Sequence, residues 1–320
     1  MAKSKRNKTI DFEPADAPAG LKEQLLDGHN DLSGLCTIID HQIVGDSFKI
    51  MPRLPRHCVD LALVDPPYNL TKHYDGLHFS HRSQQAYQEF TKQWIQALLP
   101  LLKESATIYV FADWQTSIPL APLLSQNFVI KNRITWQREK GRGAKTNWKN
   151  GDEDIWFLTR QRHGYTFNVN DVKMRRHVIA PYRVNGQAKD WHEGSAGRFR
   201  DTYPSNFWDD ISIPYWSMPE NTAHPTQKPE KLLAKTILAS SNPGDLVFDP
   251  FSGSGSSLVT AKKLGRHYLG IEQSLRYALW GQYRLQKAST NHRIQGYTDG
   301  VFWERNTLEW QKTHHRSQQT

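Results

Sequence analysis

The sequence predicts an α/β fold built on a doubly wound, mostly parallel sheet. Short apolar runs typical of buried parallel strands alternate with segments of helical periodicity. Two of the strands end in an acid that is followed directly by a distinctive turn, which is where such sheets bind ligands. A loop-rich segment of different composition separates the two turns and is typical of an insertion.

The order of the elements along the chain fits this fold. Val59–Val64 is almost continuously apolar, as expected for a strand that is buried on both faces. The predicted strands cover residues 41–46, 59–64, 106–111, 128–136, 154–158, 245–249 and 267–272. Apolar side chains at helical spacing, with a proline opening the third segment, predict helices over residues 84–103, 117–126, 229–240, 256–264 and 274–287.

The composition and the periodicity of the sequence divide the chain into three parts. Residues 1–35 are polar and aperiodic, and we expect a flexible N-terminal arm. Residues 36–288 carry the predicted strands and helices and form one domain, which contains the insertion at 138–223. Residues 289–320 are polar and basic, and we expect a C-terminal tail.

The charge of the chain favours a polyanionic partner. The net charge is +9 and the sequence pI is near 9.4. The excess is concentrated between Arg138 and Tyr203, where fourteen Lys or Arg stand against eight Asp or Glu. Aromatic residues alternate with these charges, as in surfaces that contact phosphates and bases. A second interpretation is that the rings form a small core of the insertion itself.

The sequence favours a cytoplasmic protein without a metal site or a membrane span. Cys36 and Cys58 belong to no CxxC pattern or Cys/His cluster, so we predict no metal and no disulfide framework. No apolar run approaches the length of a membrane span. The N-terminus is basic but has no apolar core, unlike a secretory signal.

The first motif, DPPYN, starts at Asp65 and directly follows the second predicted strand. Pro66 and Pro67 make a rigid turn without backbone donors, so carbonyls there stay free to accept hydrogen bonds. An amino group on an aromatic base is a poor nucleophile because its lone pair is delocalised, and an enzyme that uses it must accept its hydrogens. The Asp65 carboxylate and the Pro66 carbonyl are suitable acceptors, and Tyr68 offers a ring on which an extruded base can stack. The alternative is a strand-end turn in which Asp and Pro are favoured for local reasons.

The second motif, Phe248–Gly255, joins a strand to a helix through a glycine-rich turn. Glycines let the backbone approach a nucleotide-like ligand closely. Glu272 ends the next strand 23 residues after Asp249, close to the offset of about 20 expected for a carboxylate on ribose hydroxyls. A dinucleotide site is the rival interpretation, but Leu258 occupies the place of the third glycine of GxGxxG. A turn that only connects strand and helix is another alternative.

The third motif, His224–Pro229, opens the third predicted helix. Helix N-terminal amides, the Thr226 hydroxyl and the Lys228 ammonium are suitable ligands for a carboxylate. The same residues also fit a capping sequence, with Thr226 as the cap and Pro229 near the helix start. The two interpretations are compatible.

These motifs, in this order, resemble the β group of the amino DNA methyltransferases, where a DPPY-type motif precedes the target-recognition region and the S-adenosylmethionine motif comes last. The resemblance covers about residues 40 to 288 and implies a seven-stranded, Rossmann-like sheet. It implies catalytic roles for Asp65, Pro66, Pro67 and Tyr68. It implies an S-adenosylmethionine site made of Asp46, Thr226, Lys228, Asp249, Phe251, Ser252, Gly253, Gly255 and Glu272.

Within that site the resemblance implies separate ligands for separate parts of the cofactor. Asp46 matches the position that contacts the adenine, and Glu272 matches the ribose ligand. Asp249 is expected to meet the cationic amino-acid part, and Thr226 and Lys228 its carboxylate. Residues 134–157 resemble the family's final sheet hairpin with its adjoining DNA-facing loop.

The resemblance implies a site-specific enzyme, of a restriction-modification system or an orphan, that binds double-stranded DNA, flips one base and methylates its amino group. Adenine N6 is favoured because cytosine-N4 members usually carry Ser where this chain has Asp65. Half-site symmetry makes a homodimer a further expectation. The open alternatives are a cytosine-N4 enzyme, a non-catalytic DNA-binding protein, a dehydrogenase, and a methyltransferase acting on RNA or protein.

Overall fold

The chain folds around one large sheet with helices on both faces. The computed structural model describes residues 4–69, 72–74, 77–79, 82–138, 145–179, 182–194, 197–308 and 311. The described helices are α1 Leu35–Ile38, α2 Ser47–Ile50, α3 Gln84–Leu98, α4 Trp114–Asn127, α5 Glu230–Ser240, α6 Ser256–Lys263 and α7 Leu275–Ala288. The described strands are β1 Leu26–Asp27, β2 His41–Val44, β3 Val59–Val64, β4 Lys72–Tyr74, β5 Leu77–Phe79, β6 Leu102–Ala112, β7 Val129–Gln137, β8 Asp152–Thr159, β9 Met174–His177, β10 Arg183–Val184, β11 Gln187–Ala188, β12 His192–Gly194, β13 Gly197–Thr202, β14 Phe207–Trp208, β15 Leu246–Asp249, β16 His267–Glu272, β17 Tyr297–Thr298 and β18 Val301–Trp303.

The large sheet has the strand order β1-β2-β16-β15-β3-β6-β8-β7-β14. All neighbours in it are parallel except at β8, which is antiparallel to both β6 and β7. The predicted fold class, a mostly parallel α/β sheet, is therefore confirmed. The seven expected strands form its middle, and the two-residue strands β1 and β14 extend the two edges to nine strands.

Alternate residues of the central strands feed two separate cores. In β3, Ala62 and Val64 pack into the cluster that contains Trp94 of α3 and Leu124 of α4. Leu61 and Leu63 point the other way and pack with residues of α5, α6 and α7. Because helices cover both faces, the ends of the strands are where this sheet offers room for a ligand.

Helix α3 shows how the sequence builds one of these layers. Ser83 caps the helix, since its side-chain oxygen accepts a hydrogen bond from the Ala86 amide at 3.2 Å. The buried side chains lie on one face: Tyr87, Phe90, Thr91, Trp94, Ile95 and Leu98. Each large apolar side chain that is buried contributes about 1.5–3 kcal/mol. The predicted helix 84–103 ends early because residues 99–101 tighten into a 3₁₀ turn and β6 begins at Leu102.

The insertion and the C-terminal segment together build a second sheet of five strands, in the order β12-β13-β9-β18-β17. The last two strands come from residues 297–303, which we assigned to a polar tail. β18 pairs in parallel with β9, and Phe302 is fully buried. The short apolar run 301–303 explains why this segment joins a sheet instead of extending into solvent. Residues 309, 310 and 312–320 of the predicted tail lie outside the described residues.

The N-terminal segment packs against the domain from Lys8 onward, where the Lys8 amide donates to the Trp216 carbonyl, whereas we predicted a flexible arm. Ile10 forms a parallel bridge with Thr222 and packs against Tyr277 and Trp280 of α7. Leu21 and Leu32 are fully buried as well. These apolar residues are about ten positions apart, so they show no helical or strand period from which their burial could be predicted.

Among the described residues, no helix is both long and apolar enough to cross a membrane. The same part of the chain contains no group of three or more His, Cys, Asp or Glu side chains placed to hold a metal ion. Both cysteines are free thiols, Cys36 exposed and Cys58 buried.

Candidate active site

Four neighbouring parallel strands end in acids along one edge of the large sheet. In spatial order, Asp46 follows β2, Glu272 ends β16, Asp249 ends β15 and Asp65 follows β3. A cavity of about 280 Å³ opens there, and Asp46, Asp65 and Glu272 line it together with Gly253. The first and second predicted motifs thus meet in one cavity, at the strand ends where doubly wound sheets bind ligands.

The Asp65 carboxylate lies in a fixed hydrogen-bond network. Its Oδ2 accepts from the Lys228 Nζ at 2.7 Å, and its Oδ1 accepts from the Tyr68 hydroxyl at 2.9 Å. The neighbouring Pro67 carbonyl accepts from the Tyr87 hydroxyl at 3.3 Å. A carboxylate offers about four lone-pair positions, so Asp65 keeps acceptor capacity beyond these two bonds.

Tyr68 is held as a neutral hydrogen-bond donor. Burial, together with the nearby charges of Asp65 and Glu153, keeps the pKa of Tyr68 well above its usual value. Its half-buried ring lines the cavity beside Pro66. The residue therefore both steadies the carboxylate and presents a ring to the site.

Lys228 connects the turn that carries Asp65 to the hairpin formed by β7 and β8. Its ammonium lies 3.4 Å from Oε2 of Glu153, which also forms an ion pair with Arg138. The Lys228 residue is 7% exposed and Glu153 is 2% exposed, so both charges are buried. We expected Lys228 to be a ligand of the cofactor carboxylate, whereas the structure places its ammonium against Asp65.

The glycine turn is shaped around Glu272. The Gly253 amide donates to one Glu272 oxygen at 2.8 Å, and the Ser274 amide donates to the other at 2.8 Å. Gly253 has φ +52°, and a Cβ there would lie 3.1 Å from the His224 ring. Glycine is therefore needed at position 253 both for the backbone conformation and to keep this wall of the cavity clear.

Two predicted cofactor residues face away from the main cavity. The Ser252 hydroxyl donates to the Ile271 carbonyl at 3.1 Å and accepts from Gln42 at 2.9 Å. A Cβ at Gly255 would lie 3.0 Å from the Gly281 Cα, so this residue serves the close packing of two helices. Neither residue lines the main cavity: Gly255 supports the packing behind the turn, whereas Ser252 lines a smaller adjoining cavity.

The segment 224–229 is a loop rather than the first turn of a helix. α5 begins at Glu230 with Pro229 at its N-cap, so Thr226 is not the helix cap that we considered. Gln227 fixes the loop, because its Oε1 accepts from both the amide and the hydroxyl of Thr222 at 2.8 Å. Thr226 remains at the site, since it lines both the main cavity and a smaller adjoining one of about 40 Å³.

Sequence reasoning missed several residues of the site. Phe48 follows Asp46 by two positions, lines the cavity and lies 6.4 Å from Phe251 between ring centroids. Glu153 was overlooked within a predicted hairpin, although an acid at the start of an otherwise apolar strand is a signal for a buried charge partner. Tyr277 also lines the cavity, with its ring 4.5 Å from the His224 ring.

Asp249 lines the smaller cavity and is buried. Its carboxylate accepts from the Phe251 amide at 2.9 Å and from the Ser257 hydroxyl. Burial raises the pKa of Asp249 from 3.8 to about 7, and the charges of Asp65 and Glu272 add to the rise. Below about pH 7, the folded protein therefore keeps a proton at this position.

This proton predicts a pH dependence of stability. Between about pH 4 and pH 7 the unfolded chain has released the Asp249 proton while the folded chain retains it, so this contribution to the free energy of unfolding falls as the pH rises. Asp249→Asn removes the contribution. In urea unfolding, the difference between the wild-type protein and the variant is expected to change from pH 5 to pH 7 and to level off above that range. A difference that stays constant with pH contradicts the prediction.

Residues 59–281 match the family described as DNA methylase. The chain is 33% identical over 254 residues to the DNA adenine methyltransferase YhdJ of Escherichia coli strain K12, covering 77% of this chain and 83% of that protein. It is 32% identical over 249 residues to the Type II methyltransferase M.HpaI of Haemophilus parainfluenzae, covering 76% and 73% of the two chains.

The fold is similar to solved methyltransferase structures. The PvuII DNA methyltransferase (cytosine-N4-specific) aligns with a TM-score of 0.57 and 16% identity, over 78% of this chain and 89% of that one. TTHA0409 from Thermus thermophilus, a putative DNA modification methylase complexed with S-adenosyl-L-methionine, aligns with a TM-score of 0.53 and 18% identity, over 83% and 98%. With the acid row, the shared cavity and the family match over most of its length, the chain belongs to the DNA methylase family that includes the N6-adenine and N4-cytosine enzymes.

Proposed function

We propose that this DNA methyltransferase moves a methyl group from S-adenosylmethionine to N6 of an adenine flipped out of double-stranded DNA. The observation that carries the proposal is the cavity that Asp65 shares with Gly253 and Glu272. It brings an acceptor for an amino group next to a turn that suits a nucleotide-like cofactor. Methyl transfer between two bound partners needs this proximity.

The residues around the cavity fit S-adenosylmethionine. Asp46 and Glu272 follow adjacent strands, as expected for ligands of the adenine and the ribose, and the Gly253 turn leaves room between them. Phe48 and Phe251 add apolar rings to the lining. When bound, the cofactor supplies a methyl group that its sulfonium charge has already activated. Thr226 and Asp249 lie on the adjoining smaller cavity, where they suit the amino-acid part.

The residues of this chain hold the target base in position and accept the hydrogens of its amino group. Asp65 accepts one hydrogen of the target amino group and the Pro66 carbonyl accepts the other, so that the nitrogen can pyramidalise and its lone pair is no longer delocalised into the ring. Pro66 and Pro67 have no N–H group, so neither adds a backbone donor that competes with the amino group for Asp65. Tyr68 stacks on the base, and its hydroxyl holds the Asp65 carboxylate at 2.9 Å. Catalysis rests on this preorganised geometry.

Adenine is proposed over cytosine for two reasons. The chain carries Asp65 at the catalytic position, and a relative with 33% identity is named a DNA adenine methyltransferase. N4 of cytosine is the second candidate, because it presents the same kind of amino group beside a ring nitrogen and belongs to the same family.

Double-stranded DNA is proposed to contact the insertion. The insertion does have buried rings, such as those of Trp191 and Trp208. Other rings are exposed, however: Trp148, Tyr182, Tyr203 and Phe207. The first three lie in the region where the basic residues are in excess, and Phe207 follows it closely. Exposed rings among cations are suited to contact bases and phosphates, whereas rings that formed a core of the insertion would be buried.

The proposal is tested by incubating the protein with labelled S-adenosylmethionine and genomic DNA, and by digesting the product to nucleosides. Label is expected in N6-methyl-2′-deoxyadenosine, and sequencing the DNA with modification detection then gives the recognition site. Label in N4-methylcytosine would show that the target is the amino group of cytosine and not that of adenine. Label in thymine or at C5 of cytosine, or none in DNA, would refute transfer to an amino group.

A further inference from the structure

We infer that Lys228 binds the ring nitrogen beside the target amino group, so that Asp65 and Lys228 together select the base. The inference rests on the proposed function, because it concerns the same flipped base. It assigns to this lysine a contact with DNA instead of the contact with the cofactor carboxylate that its position in the sequence indicates.

The first argument is the number of hydrogen-bond donors on Lys228. A lysine ammonium has three N–H groups. Within the described residues it makes two hydrogen bonds, to Asp65 Oδ2 at 2.7 Å and to the Tyr68 hydroxyl at 3.2 Å. Both partners line the main cavity, as Lys228 itself does. The third N–H group makes no hydrogen bond among the described residues; Glu153 Oε2 lies 3.4 Å from the ammonium, and a ligand that reaches Asp65 competes with it for this donor.

The second argument is the burial of the charges behind the lysine. Glu153 is 2% exposed, and its Oε2 has no hydrogen-bond partner among the described residues although the ammonium lies 3.4 Å away. Its other oxygen pairs with Arg138. A buried carboxylate oxygen that lacks a hydrogen bond is costly, and a buried cation beside it compensates part of that cost. Glu153 thus holds the ammonium at the edge of the cavity by its charge, without a hydrogen bond that occupies the third N–H group.

The third argument is the pattern that the two groups present. Asp65 is an acceptor and Lys228 a donor, and they lie side by side at 2.7 Å. Adenine and cytosine both carry an amino donor next to a ring-nitrogen acceptor on the Watson–Crick edge, which enzymes that flip bases read directly. Guanine and thymine carry a carbonyl acceptor next to an N–H donor instead. The pair therefore matches the two bases with a methylatable amino group beside a ring nitrogen and opposes the other two.

The test replaces the ring nitrogen and the lysine separately and then together. The substrate is a synthetic duplex with the mapped site, carrying either adenine or 1-deazaadenine, whose N1 is replaced by C–H. For the wild-type enzyme, kcat/KM is expected to fall at least about tenfold on the analogue, as for the loss of a hydrogen bond to a charged group. For Lys228→Met, the same change of base is expected to cost less than about threefold, because the donor is already gone. If the mapped target is cytosine, 3-deazacytosine takes the place of the analogue.

Two further variants separate a specific contact from a loss of structure. Lys228→Arg keeps a charged donor and is expected to retain the wild-type penalty. Glu153→Ala loosens the ammonium and is expected to give an intermediate penalty, which a general loss of stability does not produce. The matched control is Lys103→Met, which breaks a lysine–aspartate pair of the same length, 2.7 Å to Asp60, near the opposite end of β3. Lys103→Met is expected to show the same fall in kcat/KM on the analogue as the wild-type enzyme.

The outcomes are distinct. An unchanged penalty in Lys228→Met, or no penalty in the wild-type enzyme, overturns the inference while leaving methyl transfer intact. Calorimetry of S-adenosylmethionine binding adds a second readout: Lys228→Met is expected to bind it as the wild-type protein does. If this variant binds the cofactor much more weakly and still loses kcat/KM on the analogue as the wild-type enzyme does, Lys228 binds the cofactor carboxylate instead of the base. Failure of the proposed function shows separately, as a wild-type protein that labels no amino group in DNA.

Discussion

Asp65→Asn is expected to lower kcat for methyl transfer by about 100-fold to 1,000-fold, the range for removing one preorganised polar group from an active site. The amide keeps the size of the side chain but replaces one acceptor oxygen by an NH₂ group. That group then faces either Lys228 or Tyr68, both of which donate to Asp65 in the wild-type protein. Single-turnover label transfer measures the loss. Cofactor affinity, measured by calorimetry, is expected to change little, because Asp65 lies at the far end of the acid row from Asp46.

Asp60→Asn is the matched control for this variant. Asp60 lies in β3, near the end of that strand opposite to Asp65, where it pairs with Lys103 and accepts from the Leu246 amide. The control is expected to retain turnover even if it is less stable. Wild-type turnover in Asp65→Asn would remove the carboxylate from the mechanism. Loss of turnover together with loss of cofactor binding would instead assign Asp65 to the shape of the cavity.

The parts of the site that follow strands could be predicted from the sequence. Asp65 and Gly253 each stand within a few residues of a buried strand, and parallel strands bring their carboxyl ends to one edge of the sheet. The sequence alone therefore sufficed to place both in a common site, and the 280 Å³ cavity contains both. Local pattern and global fold agree at these positions, which is why the prediction worked.

The contacts of Lys228 could not be predicted in the same way. The residue lies 163 positions from Asp65 in the sequence. In the sequence, Lys228 stands shortly after a threonine and just before a helix, as in anion-binding sites. This pattern favours the cofactor carboxylate as its partner, and not Asp65. Only the placement of the loop 224–229 over β3 brings the ammonium to the carboxylate. The same holds for the bridge between Ile10 and Thr222, since neither segment has a period that reveals its partner.

The second prediction concerns a buried charge cluster between Asp210, which follows β14, and two lysines of α5. The carboxylate of Asp210 pairs with Lys231 at 2.7 Å and with Lys235 at 2.6 Å, and all three residues are buried. Asp210→Ala leaves two buried cations without their carboxylate. The free energy of unfolding is expected to fall by about 3–5 kcal/mol, the cost of breaking a buried ion pair by removing one partner. Glu193→Ala, which removes the partner of Arg198 in an exposed pair, is the control and is expected to cost no more than about 1 kcal/mol.

The pH dependence of this loss distinguishes an electrostatic cause from a cavity. Burial lowers the pKa of Lys235 to about 8 in the wild-type protein, and Asp210 opposes that fall. Without Asp210 the pKa drops further, so the folded variant binds fewer protons than its unfolded chain and gains stability as the pH rises. Chemical unfolding is therefore expected to show a larger loss at pH 6 than at pH 9, whereas a loss independent of pH would indicate a packing defect. Lys231 also donates to the carbonyl of Trp303, so the cluster ties α5 to β18 of the second sheet. Because α5 follows directly on the loop that carries Lys228, the same cluster fixes the second sheet, which the insertion helps to build, relative to the cavity at the strand ends.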